Sequence, residues 1–264
     1  NYLNLINIIG NPIYNRHKLH LFNKFYPLHF FGYTPKFILQ QNSKIHLLKN
    51  NKTLTNTFSD ISPAKVNLGL RIENKRSDGY HNLHSLFIEL EFGDEVHFSP
   101  SDSLSLSCKG IDIPLDDSNL ISKAYALLHP QKPKKIPEYK IHVDKTIPIG
   151  AGLGGGSSNA AVTLKVLNRL WKLNLSNQKL EELGKTLGAD VPFFIKGGFQ
   201  LAEGIGDQLT PLKTDQLNDL IFLLVIPPIP ISTAWAYKNV NSLLTGTESL
   251  PKFAPLETPM NWRI

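Results

Sequence analysis

The sequence predicts an α+β fold, in which segments with the pattern of strands are followed by segments with the pattern of helices. Residues 61–72 alternate apolar and polar positions, as a strand with one buried face does. Residues 160–171 and 176–187 instead carry apolar residues at helical spacing. A glycine-rich stretch, residues 147–159, joins the strand-like residues 140–149 to the first of these helices. We therefore expect the rest of the chain to be arranged around this strand, loop and helix.

Composition places the chain among globular proteins. Its 264 residues, of which 41% are hydrophobic, suffice for one large domain or two modest domains with a core. No apolar run approaches the roughly 20 residues that a membrane-spanning helix needs. The single cysteine, Cys108, excludes an internal disulfide framework. A reducing compartment, the cytoplasm, is therefore expected.

The formal net charge of +6 is concentrated at the N-terminal end of the chain. Residues 1–59 hold seven of the 28 lysines and arginines and none of the 22 acidic residues, which leaves 21 bases against 22 acids elsewhere. The globular part is thus near neutral, and its charge does not indicate nucleic-acid binding.

Residues 1–57 form a basic leader with little periodicity, for which two interpretations stay open. Transit peptides are basic and poor in acids, and one here would direct the protein to a plastid-type organelle. They are also usually rich in Arg and Ser, which this stretch is not. The alternative is upstream sequence carried along in an over-extended chain. We expect this segment to be disordered or a non-native extension.

The strand at residues 61–72 places two polar side chains next to each other. Lys65 and Asn67 lie on one face and Val66 on the other, because side chains alternate along a strand. A lone lysine on a strand is most often a solvated surface residue. Lys65 becomes a candidate functional residue because of its possible partners downstream.

A turn is predicted at residues 74–84, which contain the sequence Ser-Asp-Gly. Tyr80 and His81 come directly after the turn glycine, where side chains can project into a cleft. An ordinary surface histidine is the alternative interpretation of His81. Downstream, the pattern predicts strands at residues 86–90, 93–98 and 104–106 and a helix at residues 119–129.

The glycine-rich stretch has the features of an anion-binding loop. Residues 150–156 contain five glycines in seven positions, so the backbone has ready access to positive φ and can turn its N–H groups inward. Ser157 and Ser158 stand where a helix would begin, and the N-terminus of a helix attracts anions. This pattern favours phosphate binding over a flexible linker. It is neither a Walker loop nor a clear Rossmann fingerprint, because the Gly-Lys-Ser/Thr ending and the downstream acid are missing.

The helix predicted at residues 176–187 is followed by a candidate catalytic carboxylate. Ser176 can cap this helix, and Gly188 ends it. Asp190 then precedes the apolar sequence VPFFI, which would partly bury it. A partly buried carboxylate needs a partner, and a lysine is the natural one. A pairing with Lys65 is therefore a hypothesis, and a cap or turn residue is the alternative. Further on, the pattern predicts a hairpin at residues 197–210 and a buried strand at residues 220–226.

Four segments together resemble the GHMP kinase superfamily in order and spacing. They are SPAKVNLGLRI, SDGYHNLHSLF, IPIGAGLGGGSSNAA and LGADVPFF, and the resemblance covers roughly residues 60–245. It implies a GHMP kinase N-terminal domain, ribosomal protein S5 domain 2-like, over residues 58–212. Residues 213–264 would be the start of a ferredoxin-like C-terminal domain. No Gly-Ser/Thr-Gly loop of the kind found in that domain follows Tyr237, so a C-terminal truncation is expected.

Within the superfamily, the Pro-Ala-Lys-x-Asn and Asp-Gly-Tyr-His segments are most similar to kinases of the non-mevalonate isoprenoid pathway. The resemblance implies phosphorylation of the 2-hydroxyl of a cytidine diphosphate-linked methylerythritol. It also implies ATP, with Mg²⁺ to neutralise the phosphates, and a small-molecule substrate rather than nucleic acid or membrane, in a monomer or weak homodimer. Two alternatives remain. One is another GHMP kinase acting on a homoserine- or mevalonate-type alcohol, and the other is a nucleotide-binding fragment inactivated by truncation.

The resemblance also implies roles for individual residues in catalysis and ATP binding. Lys65 and Asp190 would be the catalytic pair, in which Asp190 takes the hydroxyl proton and Lys65 holds Asp190 ionised and oriented. Asn119 and Lys145 would line the adenine pocket. The loop that wraps the ATP phosphates would consist of Gly150, Ala151, Gly152, Leu153, Gly154, Gly155, Gly156, Ser157 and Ser158.

The same resemblance implies a substrate site formed by three nearby segments. Asn67, Tyr80 and His81 would face the substrate, with Tyr80 stacking on cytosine and His81 contacting its polar edge. Tyr237 would supply an opposing aromatic surface.

Overall fold

The protein, in a computed structural model, is described over residues 36–41, 57–213 and 221–226. These residues form strands and helices in the mixture that the α+β prediction requires, and that prediction is confirmed. The strands are β1 Lys36–Gln41, β2 Phe58–Lys75, β3 His81–Ser101, β4 Ser105–Gly110, β5 Glu138–Lys145, β6 Phe199–Glu203, β7 Gln208–Pro211 and β8 Ile221–Ile226. The α-helices are α1 Leu120–Leu128, α2 Gly155–Leu170, α3 Asn177–Leu187 and α4 Val191–Lys196, and a 3-10 turn, His129–Gln131, follows α1.

A long antiparallel hairpin of β2 and β3 is the centre of the main sheet. Strand β5 pairs antiparallel with the second half of β3 and parallel with β4, while β6 pairs antiparallel with the first half of β3 and with β7. The resulting order is β4-β5-β3-β6-β7, with β2 also on β3. Strands β1 and β8 form a separate antiparallel pair. The hairpin therefore extends from the core of the sheet to the turn at residues 76–80.

Local capping fixes where two of the helices begin. Asn119 precedes α1, and its Oδ1 accepts a hydrogen bond of 2.9 Å from the N–H of Ile121. Ser176 precedes α3, and its Oγ accepts a hydrogen bond of 3.2 Å from the N–H of Lys179. Each side chain satisfies an N–H group that the first helical turn leaves without a backbone partner.

The helices pack against one face of the sheet and form the larger core. Phe98, Ile141 and Val143 from the sheet are fully buried there together with Trp171 at the end of α2 and Phe193 of α4. The Nε1–H of the Trp171 indole donates to the carbonyl oxygen of Pro137 at 3.3 Å, so its polar atom is satisfied inside the core. This packing holds α2 under the sheet and fixes the position of the loop that precedes it.

A second, smaller core lies where strand β8 meets the main sheet. Phe222 and Leu224 of β8 are buried with Val66 of β2 and Ile88 of β3. The predicted strand at residues 220–226 is thereby confirmed. Residues 36–41, which the sequence analysis included in the basic leader, form the strand that pairs with β8.

Most predicted elements occur where the sequence pattern placed them, with several differences in detail. The strands predicted at residues 86–90 and 93–98 are one continuous strand, β3, because β2 pairs with it on both sides of Gly93, and the turn predicted at residues 74–84 is confined to residues 76–80. The helices at residues 119–129 and 176–187 and the hairpin at residues 197–210 are confirmed. Helix α2 begins at Gly155, five residues before the predicted start, because the last two glycines and both serines of the loop already form its first turn. The apolar sequence after Asp190 forms α4, which the pattern did not predict because it is only six residues long. None of the described helices has the length and apolarity that crossing a bilayer would require.

Candidate active site

The glycine-rich loop runs from the end of β5 into the N-terminus of α2. Gly154 precedes the helix with φ of 72°, in the left-handed region. A Cβ atom at this position would lie 2.7 Å from Cζ of Phe194 and 3.1 Å from Cγ of Lys65. At Gly155, a Cβ atom would lie 2.9 Å from Cγ2 of Ile147. Glycine is thus required at Gly154 by conformation and by space, and at Gly155 by space.

An open cleft of about 260 Å³ lies over this loop. The glycine loop forms one side of it and the segment before α1 forms another, and Asn119 and Lys145 are among its lining residues. The first N–H groups of α2 have no helical partners and carry the positive end of the helix dipole. A cleft with a glycine loop at a helix N-terminus is suited to hold the phosphates of a nucleotide.

Lys65 lies on β2 directly beside the loop and is almost completely buried, with 4% of its surface exposed. Its backbone N–H donates to the carbonyl oxygen of Leu153 at 2.9 Å, which ties β2 to the glycine loop. Its Nζ donates to Oδ1 of Asn67 at 2.8 Å and lies 4.1 Å from the ring centroid of Phe87. The same Nζ is 3.5 Å from Oδ2 of Asp190. The structure therefore brings together the lysine and the aspartate whose pairing the sequence left open.

Burial controls the electrostatics of this pair. Loss of hydration lowers the pKa of Lys65, and the negative charge of Asp190 and their hydrogen bond act in the opposite direction. The Asp190 side chain stays about one third exposed, at 34%. Although Asp190 precedes α4, its side chain makes no capping hydrogen bond. Its carboxylate is thus paired with Lys65 and partly exposed rather than consumed as a helix cap.

A buried polar network centred on Asp94 connects β3 to both ends of the glycine loop. Asp94 is fully buried, and its Oδ1 accepts hydrogen bonds of 2.8 Å from the backbone N–H groups of both Thr146 and Ile147. Its Oδ2 accepts from Nζ of Lys145 at 2.5 Å and from Nδ2 of Asn159 at 2.9 Å. One carboxylate on β3 therefore holds the start of the loop and the first turn of α2 together.

The network continues to β2 through two serine hydroxyls. Nδ2 of Asn159 donates to Oγ of Ser62 at 2.8 Å, and Ser62 in turn donates to Oγ of Ser158 at 2.9 Å. All three residues are buried. The side chain of Ser158, predicted to contact phosphate, is turned into the protein, whereas Ser157 is partly exposed.

The two residues predicted for an adenine pocket have structural partners as well as positions at the cleft. Lys145 is buried and forms its ion pair with Asp94. Asn119 caps α1 through Oδ1, and its Nδ2 donates to the carbonyl oxygen of Pro114 at 2.6 Å. Both side chains are therefore held rigidly at the edge of the cleft.

Tyr80 and His81 lie at the far turn of the β2–β3 hairpin. Tyr80 is 61% exposed, and its backbone N–H donates to Oδ1 of Asp78 at 3.1 Å, whereas His81 is buried. Asn67 lies beside Lys65 instead, as predicted from strand alternation. The structure does not bring Tyr80 into contact with the Lys65 pair within the described residues, and Tyr237 lies outside them.

Sequence reasoning missed the residues that support the site. Asp94 and Ser62 were not candidates, and Asn159 was only part of a motif. A weak signal was present for each. Asp94 with Gly93 interrupts a strand pattern, Ser62 immediately precedes the Pro-Ala-Lys segment, and Asn159 directly follows the two serines of the loop. Phe87, whose ring contacts the Lys65 ammonium, looked like an ordinary core residue.

Comparisons with known proteins agree on one protein family. The family model described as GHMP kinases N terminal domain matches residues 119–198. A 4-diphosphocytidyl-2-C-methyl-D-erythritol kinase from Chlorobium phaeobacteroides is 47% identical over 177 residues, which are 67% of this chain and 59% of that protein. The kinase of the same description from Persephonella marina is 43% identical over 190 residues, 72% of this chain and 68% of that protein.

A solved structure gives the same result at the level of the fold. The crystal structure of a 4-(cytidine 5'-diphospho)-2C-methyl-D-erythritol kinase is 41% identical, with a TM-score of 0.51, over 59% of this chain and 55% of that one. The chain spans about three fifths of the length of the first curated relatives that it matches.

Proposed function

Because the chain belongs to the family of 4-diphosphocytidyl-2-C-methyl-D-erythritol kinases, within the GHMP kinases, we propose that it phosphorylates a small-molecule alcohol with ATP. The acceptor is the 2-hydroxyl of a cytidine diphosphate-linked methylerythritol. The observation that carries this proposal is the Lys65–Asp190 pair, 3.5 Å apart, beside a glycine loop at the N-terminus of a helix.

The glycine loop and the start of α2 are the proposed site for the ATP phosphates. Gly152 has φ of 74° and no neighbour within 4 Å of a Cβ position, so the backbone is open toward the cleft there. Its surroundings thus fit a bulky anion. ATP supplies the phosphoryl group, and Mg²⁺ is proposed to accompany it because the phosphate charge must be neutralised.

Asp190 is the proposed acceptor of the hydroxyl proton. Its carboxylate is about one third exposed and can be reached, and the ammonium of Lys65 lies 3.5 Å from it. Asn67 and the ring of Phe87 hold that ammonium from two other sides. Lys65 is thereby kept in one position, and phosphoryl transfer depends mainly on such positioning and charge stabilisation.

The substrate contacts remain proposals from motif similarity. Asn67 is next to Lys65 and is suited to contact the acceptor alcohol. Tyr80, exposed at the hairpin turn, is proposed to stack on the cytosine, and His81 is proposed to contact its polar edge. Tyr237, outside the described residues, is proposed to supply an opposing aromatic surface. Asn119 and Lys145 are proposed to border the adenine because both line the cleft.

The test is phosphoryl transfer by the chain and by its Asp190→Asn variant. We expect the variant to lose about 10²- to 10⁴-fold in turnover, the usual share of a positioned general base. ATP binding, measured by calorimetry, should change little because Asp190 is not part of the loop. Asp102→Asn, in the exposed turn after β3, is the matched control and should retain full turnover.

Three results would count against the proposal. Equal turnover in Asp190→Asn would remove the proton-acceptor role. ATP binding without any phosphoryl transfer by the unsubstituted chain would contradict the kinase activity and leave a nucleotide-binding role. Faster transfer to homoserine or mevalonate than to the cytidine diphosphate-linked alcohol would contradict the proposed substrate.

A further inference from the structure

Two histidines and two carboxylates form a cluster on the face of the sheet opposite the helices. His97 on β3 is directly opposite His142 on β5, and Glu95 is directly opposite Asp144 in the neighbouring pair. The residues between them, Val96 and Val143, are fully buried in the helix-facing core. Because side chains alternate along strands, all four polar side chains project to the other face.

The potential ligand atoms of this cluster lie close together. Nε2 of His97 is 2.9 Å from Oδ2 of Asp144, and its Nδ1 is 3.9 Å from Oε1 of Glu95. Nε2 of His142 is 3.7 Å from Oδ1 of the same Asp144. One ligand atom each from Glu95, His97 and Asp144 falls within 4.8 Å of the others. Ligands around tetrahedral zinc are about 3.3 Å apart, since Zn–N and Zn–O bonds are about 2.0–2.2 Å. Small rotations of these partly exposed side chains therefore suffice to bring the ligand atoms to the spacing that zinc requires.

A hydrogen bond from the neighbouring strand orients one of the histidines. Oγ of Ser107 on β4 lies 2.8 Å from Nδ1 of His142. When Nδ1–H donates to this hydroxyl, Nε2 carries the lone pair, and Nε2 is the nitrogen that faces Asp144. Histidines that bind metals are commonly oriented in this way by a hydrogen bond at the other ring nitrogen.

The charge of the cluster also favours a cation. With neutral imidazoles, Glu95 and Asp144 give it two negative charges, and Lys109, opposite Asp144 on β4, offsets one of them. Imidazole nitrogen combined with carboxylate oxygen is a ligand set of zinc and similar divalent metals, whereas Mg²⁺ prefers oxygen ligands alone.

We propose that Glu95, His97, His142 and Asp144 form a site for one Zn²⁺ ion, with Ser107 orienting His142. The site is separate from the cleft, because its residues point away from the helices. It is nevertheless next to the Asp94 network along the chain, since Glu95 follows Asp94 and Asp144 precedes Lys145. A bound ion would clamp β3 to β5 beside the Asp94 network.

The experiment is calorimetric titration of the full chain with Zn²⁺ at neutral pH, without nucleotide. We expect binding of one ion at this site, with the affinity reduced at least 100-fold in His97→Asn and in His142→Asn. Ser107→Ala should weaken binding about 10- to 100-fold, as loss of an orienting partner typically does. A 100-fold excess of Mg²⁺ should not displace the zinc.

Because the chain has nine histidines, a matched control is needed. His129→Asn removes a half-exposed histidine that contacts Glu138 rather than this cluster, and it should bind Zn²⁺ like the unsubstituted chain. A rise in melting temperature on adding Zn²⁺ should appear in this control and be absent from His97→Asn and His142→Asn, whose folds are checked by their melts in EDTA.

The proposal is overturned if the unsubstituted chain does not bind Zn²⁺, or if both histidine variants bind it as tightly as the control. His97 and Asp144 then form only a hydrogen-bonded pair on the surface. Unchanged affinity in Ser107→Ala would overturn the orienting role of Ser107.

Discussion

The ammonium of Lys65 is enclosed by an amide, an aromatic ring and a carboxylate. Asn67 accepts its hydrogen bond at 2.8 Å, Phe87 presents its ring at 4.1 Å, and Asp190 lies at 3.5 Å. Burial lowers the pKa of Lys65, and the charge of Asp190 and its hydrogen bond act in the opposite direction. Each neighbour therefore contributes to the position of a charge that the proposed reaction needs.

Gly154 and Gly152 both require a left-handed backbone, but only Gly154 also lacks room for a Cβ atom, so substitutions at the two positions distinguish backbone strain from a steric clash. Both have φ near +70°, at 72° and 74°, but only Gly154 is crowded by Phe194 and Lys65. We expect Gly152→Ala to cost about 1 kcal/mol of unfolding free energy, and Gly154→Ala to cost about 2–3 kcal/mol or more. Gly154→Ala should also weaken ATP binding, because the clash displaces Lys65 or the loop.

Urea unfolding and ATP titration of both variants provide the measurement. Gly152→Ala is the control for left-handed backbone strain without a clash. Equal unfolding free energies in the two variants would show that the close packing of Phe194 on Gly154 does not constrain the loop.

Among the secondary-structure elements, β3, β5 and α2 meet at Asp94. Its carboxylate accepts from two backbone N–H groups, from Lys145 and from Asn159. Asp94→Asn removes the charge that compensates Lys145 and leaves a buried ammonium unpaired. Breaking a buried ion pair in this way costs about 3–5 kcal/mol. We expect that loss in urea unfolding, together with a weaker affinity for ATP.

A double variant, Asp94→Asn with Lys145→Met, serves as the control for this prediction. Removing both charges should recover part of the lost free energy, because no unpaired ammonium remains. A loss below about 1 kcal/mol in Asp94→Asn alone would be inconsistent with a buried network that supports the loop.

Glu138 at the start of β5 joins that strand to α1 and the turn after it. Its carboxylate accepts from Tyr125 Oη, from Lys132 Nζ at 3.2 Å and from His129 Nε2 at 3.2 Å. Burial alone would raise the pKa of Glu138, but the hydrogen bonds from Tyr125, Lys132 and His129 outweigh it and lower the pKa. The ionised carboxylate is thus the form that stabilises the fold.

The sign of the pH effect follows from that lowered pKa. The stability that Glu138 contributes is fully present above its unfolded pKa, about 4.3, and is lost as the pH falls through the lower pKa of the folded protein. Glu138→Gln should cost about 1 kcal/mol at neutral pH. Melts between pH 3 and pH 7 should show this difference shrinking below about pH 4. A difference that stays constant with pH would contradict the role of the ionised form.

For the molecule as a whole, residues 36–41 contribute to the fold as strand β1. They pair along their full length with β8, whose Phe222 and Leu224 are buried against the main sheet. A chain lacking residues 1–57 loses this pairing, whereas a chain lacking residues 1–35 keeps it. We expect the longer deletion to melt about 5 °C or more below the shorter one, since about 2–4 °C is lost per kcal/mol in a chain of this size.

Thermal melts of the two deletion variants at equal concentration test this prediction. Because the comparison is between the two deletions, it isolates the contribution of residues 36–57. Identical melting temperatures would support the sequence-based expectation that the whole leader is foreign to the fold.

Local pattern was sufficient for most of the elements, with α4 and β1 as exceptions, and for recognising individual motifs. Alternation identified the strand that carries Lys65 and Asn67, a capping serine identified the start of α3, and glycine content identified the loop between β5 and α2, because each depends on neighbours in the chain. The same information marked Asp190 as a carboxylate in need of a partner.

Only the tertiary structure decided which partners meet. Lys65 and Asp190 are 125 positions apart in the sequence, and Ser62 and Asn159 are 97 apart. Their contacts result from long-range packing of α2 and α4 under β2 and β3. Asp94 and Phe87 look like ordinary strand residues until that packing surrounds them with Lys145 and Lys65. Strand β1 likewise has no clear signal of its own, because its hydrogen-bond partner, β8, lies about 180 residues further along the chain.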